Sequence, residues 1–245
     1  MIDKNSSKLF LELAIGLPVM TLLAAAFAWM TGAAWTVTCM AVGLYALLAS
    51  GLARLGSTEL QYLGWPNRIT VLRAMLVALL TAALIEPILY LEAGWLIAAL
   101  ALVALVLDGL DGWMARTLNQ ETSFGARFDM EVDAALILVL CLGLALSGKV
   151  GAWVLAIGLM RYAFLAAMLI LPWLARPLPS SFRRKLVCVW QVVSLVLAAT
   201  PLFDPLVNAL ILASALALLI HSFAVDTAWL YRQHVSKTNP SWRMS

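Results

Sequence analysis

Long apolar segments recur along the chain and limit its fold more than any other feature of the sequence. A helix needs about 20 residues to cross the hydrocarbon core of a bilayer, which is about 30 Å thick. Hydrophobic residues make up 64% of the 245 residues and charged residues only 12%, whereas soluble domains contain about 25% charged residues. This composition excludes a soluble domain and a disordered chain. We therefore expect an integral membrane protein.

Eight apolar windows can be drawn, and each is expected to be a helix because an unpaired strand edge cannot lie in lipid. They cover residues 9–30, 33–52, 69–91, 94–116, 129–147, 150–171, 186–199 and 206–225. The sequence thus predicts an all-α, polytopic membrane bundle of about eight transmembrane helices. We expect three parts: residues 1–65 with a helix pair and an interfacial segment, a six-helix core at 66–232, and a tail at 233–245.

The positively charged residues indicate the orientation of these spans. Eight spans place both termini on one side of the membrane, and most of the 16 lysine and arginine residues fall on or near that side. By the positive-inside rule, this side is cytoplasmic. We predict a bacterial inner-membrane protein with its termini and active site facing the cytoplasm. The net charge of +3 fits contacts with anionic lipids and gives no reason to expect nucleic acid.

Four aspartates cluster where the fourth and fifth predicted helices meet. Asp108 and Asp111 lie near the end of one helix, and Asp129 and Asp133 begin the next. At about 100° per residue, each pair lies on one face of its helix, and the short connecting loop lets the pairs face each other. An aspartate inside a span costs about 2.5 to 3.5 kcal/mol on insertion scales, so four of them need partners.

Divalent cations suit this group of acids. Mg²⁺ and Mn²⁺ prefer oxygen ligands, and two ions about 4 Å apart would need about this many carboxylates. Salt bridges to Arg116 and Arg127 are a purely structural alternative. An ion pathway in an ion-coupled transporter is another, because intramembrane acids often serve one.

Small residues and an arginine lie beside the acids. Gly112 and Gly125 allow a backbone or a ligand to approach closely, and Ala115 is small on the same side of the helix. Arg116 offers a planar fork for phosphate oxygens. Together these residues favour a pocket for a phosphorylated ligand.

The pattern D-x2-D-G-x2-A-R-x8-G-x3-D-x3-D between Asp108 and Asp133 resembles the signature of the CDP-alcohol phosphatidyltransferase family (class I). These are integral membrane enzymes that make phospholipid head groups. Residues 66–73 resemble the family's stretch opening the first core helix. Residues 185–191 resemble a later stretch in which threonine is common where this chain has Cys188. The resemblance covers residues 66–232 and leaves the first two helices outside it.

The resemblance implies a reaction and a role for each matched residue. A phosphatidyl or other substituted phosphate group would move from a CDP-activated donor such as CDP-diacylglycerol to an alcohol, releasing CMP in phospholipid biosynthesis. Asp108, Asp111, Asp129 and Asp133 would hold two divalent cations, Mg²⁺ or Mn²⁺, and Asp133 would be the catalytic base. The CDP-binding residues would be Asp108, Asp111, Gly112, Ala115, Arg116, Gly125 and Thr70.

Other cations are candidates for binding a phosphate of the acceptor. They are Arg73, Arg161, Arg183, Arg184 and Lys185. Arg161 lies in the middle of a span and is expected to face the bundle interior, because facing lipid would be costly. Asn67 is expected to cap the third helix. The expected partners are the CDP-activated lipid donor, a small alcohol, membrane lipids and, in a homodimer, a second copy of the chain.

Overall fold

The computed structural model describes residues 4–59, 64–176, 178–179 and 181–238. These residues form nine α-helices: α1 (Lys4–Thr31), α2 (Trp35–Glu59), α3 (Gly64–Ala82), α4 (Leu89–Glu92), α5 (Gly94–Thr117), α6 (Ser123–Leu146), α7 (Leu155–Ile170), α8 (Phe182–Ala199) and α9 (Pro205–Thr238). Short 3₁₀ segments occur at Ala83–Ile85, Ala152–Val154 and Pro172–Ala175. No strand occurs among the described residues, so the prediction of an all-α polytopic bundle is confirmed.

Among the described residues, six helical segments are long and apolar enough to cross a membrane. They are Leu9–Thr31, Trp35–Arg54, Gly64–Ile85, Gly94–Thr117, Ala152–Ile170 and Pro205–Val235. The other two predicted windows fall on α6 and α8, which carry more charge: α6 contains the acids of residues 129–133 and α8 begins with three basic residues at 183–185. The chain is thus an integral membrane protein with six apolar spans and two more polar long helices.

Some helix ends differ from the predicted windows. The third window extends to residue 91, but its helix gives way to a 3₁₀ segment ending at Ile85, just before Pro87, which cannot continue the hydrogen-bonding pattern of a helix. The polar segment expected along the interface is mainly the end of α2 and the start of α3. Residues 60–63 lie outside the described part. Helix α9 continues into the predicted tail, of which residues 239–245 are not described.

Helix α3 lies at the centre of the bundle. In its apolar span 67% of the residues are buried, against 33% or less in the other five spans. It packs against α2 on one flank and against α5 and α6 on another. Side chains of α3 can therefore reach the two helices that carry the aspartates.

The first two helices form a hairpin that packs against α3. The hydroxyl of Tyr45 on α2 donates a hydrogen bond of 2.9 Å to the carbonyl oxygen of Leu13 on α1. Gly16 makes room for this contact, since a Cβ there would lie 1.8 Å from the Tyr45 hydroxyl and 2.7 Å from the terminal methyl group of Met75 on α3. The glycine thus permits three helices to meet.

Polar contacts fix both ends of this hairpin to the rest of the bundle. We call the end with the α5–α6 turn (residues 118–122) the site end. There, Glu12 of α1 accepts a hydrogen bond of 2.5 Å from Arg68 of α3. At the far end, the backbone N–H of Ala34 donates to the carboxylate of Glu86 over 3.0 Å.

Lys149 joins two turns at the far end. Its Nζ atom donates hydrogen bonds of 2.6 Å and 2.7 Å to the carbonyl oxygens of Ala199 and Thr200, where α8 ends. These carbonyls lack partners within their helix, and a cation near a helix C-terminus is favourable. Partial burial lowers the pKa of Lys149. Its charge therefore stabilises the end of α8 and lies far from the aspartates.

Candidate active site

A tight turn brings the two acid-bearing helices side by side. Helix α5 ends at Thr117, and Asn119 follows with a φ of 52°, in the left-handed region. Thr122 then caps α6 by accepting a hydrogen bond of 2.9 Å from the backbone N–H of Gly125. Because the helices run antiparallel from this turn, Asp108 and Asp111 face Asp129 and Asp133.

The guanidinium of Arg73, from α3, lies among all four carboxylates. It is 2.9 Å from an oxygen of Asp108 and 2.9 Å from an oxygen of Asp111, and it also pairs closely with Asp129 and Asp133. The Arg73 side chain is only 1% exposed. A side-chain cation that pairs with this group therefore comes from α3, whereas the sequence analysis named Arg116 and Arg127 as the alternative to divalent cations.

Each terminal nitrogen of Arg73 bridges the two helices. Nη1 contacts Asp111 of α5 and Asp129 of α6, while Nη2 contacts Asp108 of α5 and Asp133 of α6. One planar side chain thus links both pairs of acids.

Thr70 lies one turn before Arg73 and contacts one of the same acids. Its hydroxyl donates a hydrogen bond of 3.0 Å to Asp111, whose side chain is 5% exposed. Asp108, Asp129 and Asp133 keep about a third of their side-chain surface exposed. Asp111 is therefore the anchored member of the group, and the other three are accessible to a ligand.

The arrangement of carboxylate oxygens fits a hard divalent cation. One oxygen from each of Asp108, Asp111 and Asp129 lies within 4.8 Å of the other two. Carboxylate oxygens are the ligands that Mg²⁺ and Mn²⁺ prefer. Asp133 is not part of this triad and is linked to it through Arg73.

A cavity of about 420 Å³ opens beside the carboxylates, between the starts of α3 and α6 and the end of α5. Its lining includes six of the seven residues predicted to bind CDP, namely Thr70, Asp111, Gly112, Ala115, Arg116 and Gly125, together with Asp129. Asp108, the seventh, lies among the carboxylates that Arg73 contacts. The residues expected to hold the nucleotide therefore share one cavity beside the candidate metal ligands.

The two glycines serve different purposes in this cavity. A Cβ on Gly125 would lie 2.6 Å from Oδ1 of Asn67 and 2.9 Å from Oγ1 of Thr122, so glycine lets α6 approach α3. A Cβ on Gly112 would meet nothing closer than the Arg116 guanidinium at 3.4 Å. Gly112 therefore leaves room in the cavity for a ligand, whereas Gly125 leaves room for α6 to pack closely against α3.

Comparison with known proteins identifies the family. The CDP-alcohol phosphatidyltransferase family pattern matches residues 63–224, about two thirds of the chain. The chain belongs to this family. A Mycobacterium tuberculosis protein named as a phosphatidylglycerophosphate synthase is 30% identical over 155 residues, which cover 63% of this chain and 74% of the relative. A Mycobacterium bovis protein named as a cardiolipin synthase is 35% identical over 117 residues, covering 47% of this chain and 54% of the relative. No solved structure matches this chain.

Membership of the CDP-alcohol phosphatidyltransferase family confirms the predicted reaction class. This chain is a phosphotransferase of phospholipid biosynthesis, which moves a phosphatidyl or related group from a CDP-activated donor to an alcohol. The alternative of an ion-coupled transporter is not needed to explain the intramembrane acids.

The sequence missed several residues that line the cavity of this phosphatidyltransferase. Asn67 was expected to be a helix cap, but α3 begins at Gly64, so Asn67 lies inside the helix and is 7% exposed. Gln120 lines the cavity and has a buried Oε1 atom without a hydrogen-bond partner. The signal for Asn67 was its spacing of three residues from Thr70, which places both on one helical face.

None of the five predicted acceptor-binding cations is among the residues that line the cavity described above, and Arg73 lies instead among the carboxylates. Arg161 pairs with the Glu131 carboxylate at 2.5 Å and keeps 32% of its side chain exposed, while its Nε atom is buried. Glu131 lies on the opposite face of α6 from Asp129, since two residues turn a helix by about 200°.

The other two arginines of this group lie near α9. Arg183 and Arg184 pair with Asp226 at 2.5 Å and 3.4 Å, and Lys185 is exposed on the first turn of α8. Their role in binding the acceptor stays a prediction.

Proposed function

We propose that this enzyme transfers the phosphatidyl group of CDP-diacylglycerol to glycerol 3-phosphate and releases CMP. The observation that carries the proposal is the convergence of four carboxylates from α5 and α6 beside a cavity lined by the predicted nucleotide-binding residues. The choice of acceptor is supported by the relative named as a phosphatidylglycerophosphate synthase, of which the alignment covers 74%.

We assign the nucleotide end of the donor to the cavity. Gly112 and Ala115 leave space for the diphosphate on the wall formed by α5, and Arg116 offers donors to its oxygens. The open position of Gly112 supports this assignment. Residues 66–232 would form this catalytic core, with residues 1–65 outside it.

We assign the metal-binding role to Asp108, Asp111 and Asp129, with Asp133 as a further ligand. Bound Mg²⁺ or Mn²⁺ would neutralise the charge of the diphosphate and of the departing CMP. Thr70 orients Asp111 through its hydrogen bond. The acids of α5 and α6 are thereby held in one arrangement before the donor binds.

Asp133 is the candidate general base. Its side chain is 31% exposed, so an acceptor hydroxyl can reach it. The hydroxyl oxygen would attack the phosphorus next to diacylglycerol while its proton passes to the Asp133 carboxylate. The bond from that phosphorus to the oxygen of CMP breaks, and CMP leaves with the bonding electrons.

The basic residues near the site end favour a cytoplasmic location for the cavity in a bacterial inner membrane. A donor lipid would then enter from the inner leaflet, and a polar acceptor would arrive from the cytoplasm. Gln120→Cys, made in a chain whose three native cysteines are replaced by serine, tests this orientation when it is labelled with a membrane-impermeant reagent in right-side-out and in inverted vesicles. Labelling only in right-side-out vesicles would contradict it.

The decisive experiment incubates the purified protein with CDP-diacylglycerol, Mg²⁺ and separate acceptors, and identifies the lipid product by mass. We expect CMP and phosphatidylglycerophosphate with glycerol 3-phosphate. Asp129→Asn should abolish the reaction. Glu131→Gln is the matched control, because Glu131 lies on the same helix as Asp129 but on the opposite face and should retain turnover. If a lipid product forms only when phosphatidylglycerol is the acceptor, the protein is instead a cardiolipin synthase.

A further inference from the structure

Arg73 has an arrangement that acceptor binding does not explain. Both of its terminal nitrogens lie among the four carboxylates, and its side chain is 1% exposed. Its Nε atom is buried without a hydrogen-bond partner. A guanidinium held in this way cannot also bind the phosphate of a separate acceptor. It must instead act on the carboxylates themselves.

Arg73 occupies a position in which the four carboxylates would otherwise need a metal cation to balance their charge. Nη1 joins Asp111 to Asp129, and Nη2 joins Asp108 to Asp133. Each nitrogen therefore neutralises one acid from α5 and one from α6, as a bridging metal ion would do. Arg73 and a pair of metal ions would seek the same oxygen atoms.

The balance of charge shows what this overlap implies. When all four carboxylates are ionised, they and the one guanidinium that contacts them carry a net charge of −3. One divalent cation reduces this to a single negative charge, but a second divalent cation would leave a net positive charge. Like charges in a partly desolvated site repel one another strongly. The metal-free site therefore favours one divalent cation over two.

The diphosphate of the donor changes this balance. It brings about one negative charge per phosphate, so a site with Arg73, two divalent cations and the diphosphate carries one negative charge. The second cation then gains an anionic partner in place of a positive neighbour. Uptake of the second cation becomes favourable when the nucleotide arrives.

We propose that Arg73 serves as an internal substitute for one of the two divalent cations, so that the resting enzyme binds one cation and takes up the second together with the diphosphate of its donor. This inference rests on the proposed function, because it assumes that CDP-activated donors and divalent cations bind here. It makes Arg73 a positioning residue that acts through the carboxylates and sets the order of loading.

Counting bound Mn²⁺ tests the proposal without measuring turnover. Free Mn²⁺ is measured by electron paramagnetic resonance while the full-length protein in detergent is titrated, with and without CDP. We expect about one tightly bound Mn²⁺ per chain without CDP and two with CDP. Binding of two Mn²⁺ without CDP, at equal affinity, would overturn the proposal from the wild-type protein alone.

Variants of Arg73 identify the residue responsible. Arg73→Gln removes the positive charge, and we expect it to bind two Mn²⁺ without CDP, the second at least about tenfold more tightly than wild type. Arg73→Lys keeps the charge and should restore the dependence on CDP. Arg68→Gln, on the same helix but paired with Glu12, is the matched control and should match wild type.

The outcomes separate the two proposals. If wild type makes phospholipid from CDP-diacylglycerol but Arg73→Gln keeps the wild-type dependence on CDP, only the role of Arg73 is wrong. If wild type binds no Mn²⁺ and releases no CMP from any donor and acceptor, the proposed function fails and the inference fails with it.

Discussion

Replacing Gly125 with alanine tests the close approach of α6 to α3 at the edge of the cavity. The new methyl group would lie 2.6 Å from Oδ1 of Asn67 and 2.9 Å from Oγ1 of Thr122. Ordinary contacts begin near 3.4 Å, so the Asn67 oxygen has to move by about 0.8 Å, the difference between 3.4 Å and 2.6 Å. Thr122 cannot yield freely, because its oxygen caps α6.

The expected cost follows from these contacts. Overpacking at a close contact costs about 1 to 3 kcal/mol, and a lost helix cap costs about 1 kcal/mol. If the strain falls on Asn67 and the cavity, Gly125→Ala should weaken CDP binding by about 5- to 150-fold, since 1.4 kcal/mol corresponds to about tenfold. Isothermal titration calorimetry with CDP in the presence of Mg²⁺ measures the change in CDP affinity. Thermal unfolding measures how much of the strain lowers the stability of the folded protein.

Two other glycines provide controls for this variant. Gly43→Ala on α2 adds a methyl group that meets nothing within 4 Å, so it should leave CDP binding unchanged and gain up to about 1 kcal/mol of helix stability. Gly112→Ala adds a methyl group that faces the cavity and should weaken CDP binding without lowering the unfolding temperature. Equal CDP affinity and equal unfolding temperature for Gly125→Ala and wild type would refute the close approach.

Three further predictions concern stability. Arg73→Gln should destabilise the protein by about 3 to 5 kcal/mol in EDTA, because it leaves the carboxylates without the cation that pairs with them. Added Mn²⁺ should restore most of this stability. Equal unfolding temperatures of the variant in EDTA and in Mn²⁺ would contradict this expectation. Glu12→Gln should cost about 1 kcal/mol or less, because its pair with Arg68 is partly exposed and such pairs contribute little; a loss above about 2 kcal/mol would show a larger role. Lys149→Met should lower the unfolding temperature by removing two hydrogen bonds at the far end, while CMP release per folded molecule stays unchanged, and reduced turnover would show that the two ends of the bundle are coupled.

The sequence predicts the acid pairs well because their geometry is local. Asp108 and Asp111 share one helical face, as do Asp129 and Asp133, and a turn of five residues leaves the helices few ways to pack. The same local logic places Gly112 and Ala115 on the cavity wall. Where helical periodicity and a short loop decide the arrangement, the structure follows the expectation.

The contacts of Arg73 with the four aspartates could not be read from the sequence for a physical reason. Its partners lie 35 to 60 residues away along the chain, and their contact depends on α3 packing between α2 on one flank and α5 and α6 on another. Asn67 was misjudged because the predicted window begins at residue 69, five residues after the observed start of α3 at Gly64. Both errors concern α3, whose packing against other helices decides what its side chains contact.

The hairpin of α1 and α2 lies outside the part of the chain that matches the family. Between the polar contacts at its ends it meets α3 through apolar side chains such as Met75. In water, uncovering such a surface would cost free energy in proportion to its area, but acyl chains are about as apolar as the side chains they would replace. Separating this pair of helices from α3 would therefore cost less free energy in a bilayer than it would in water.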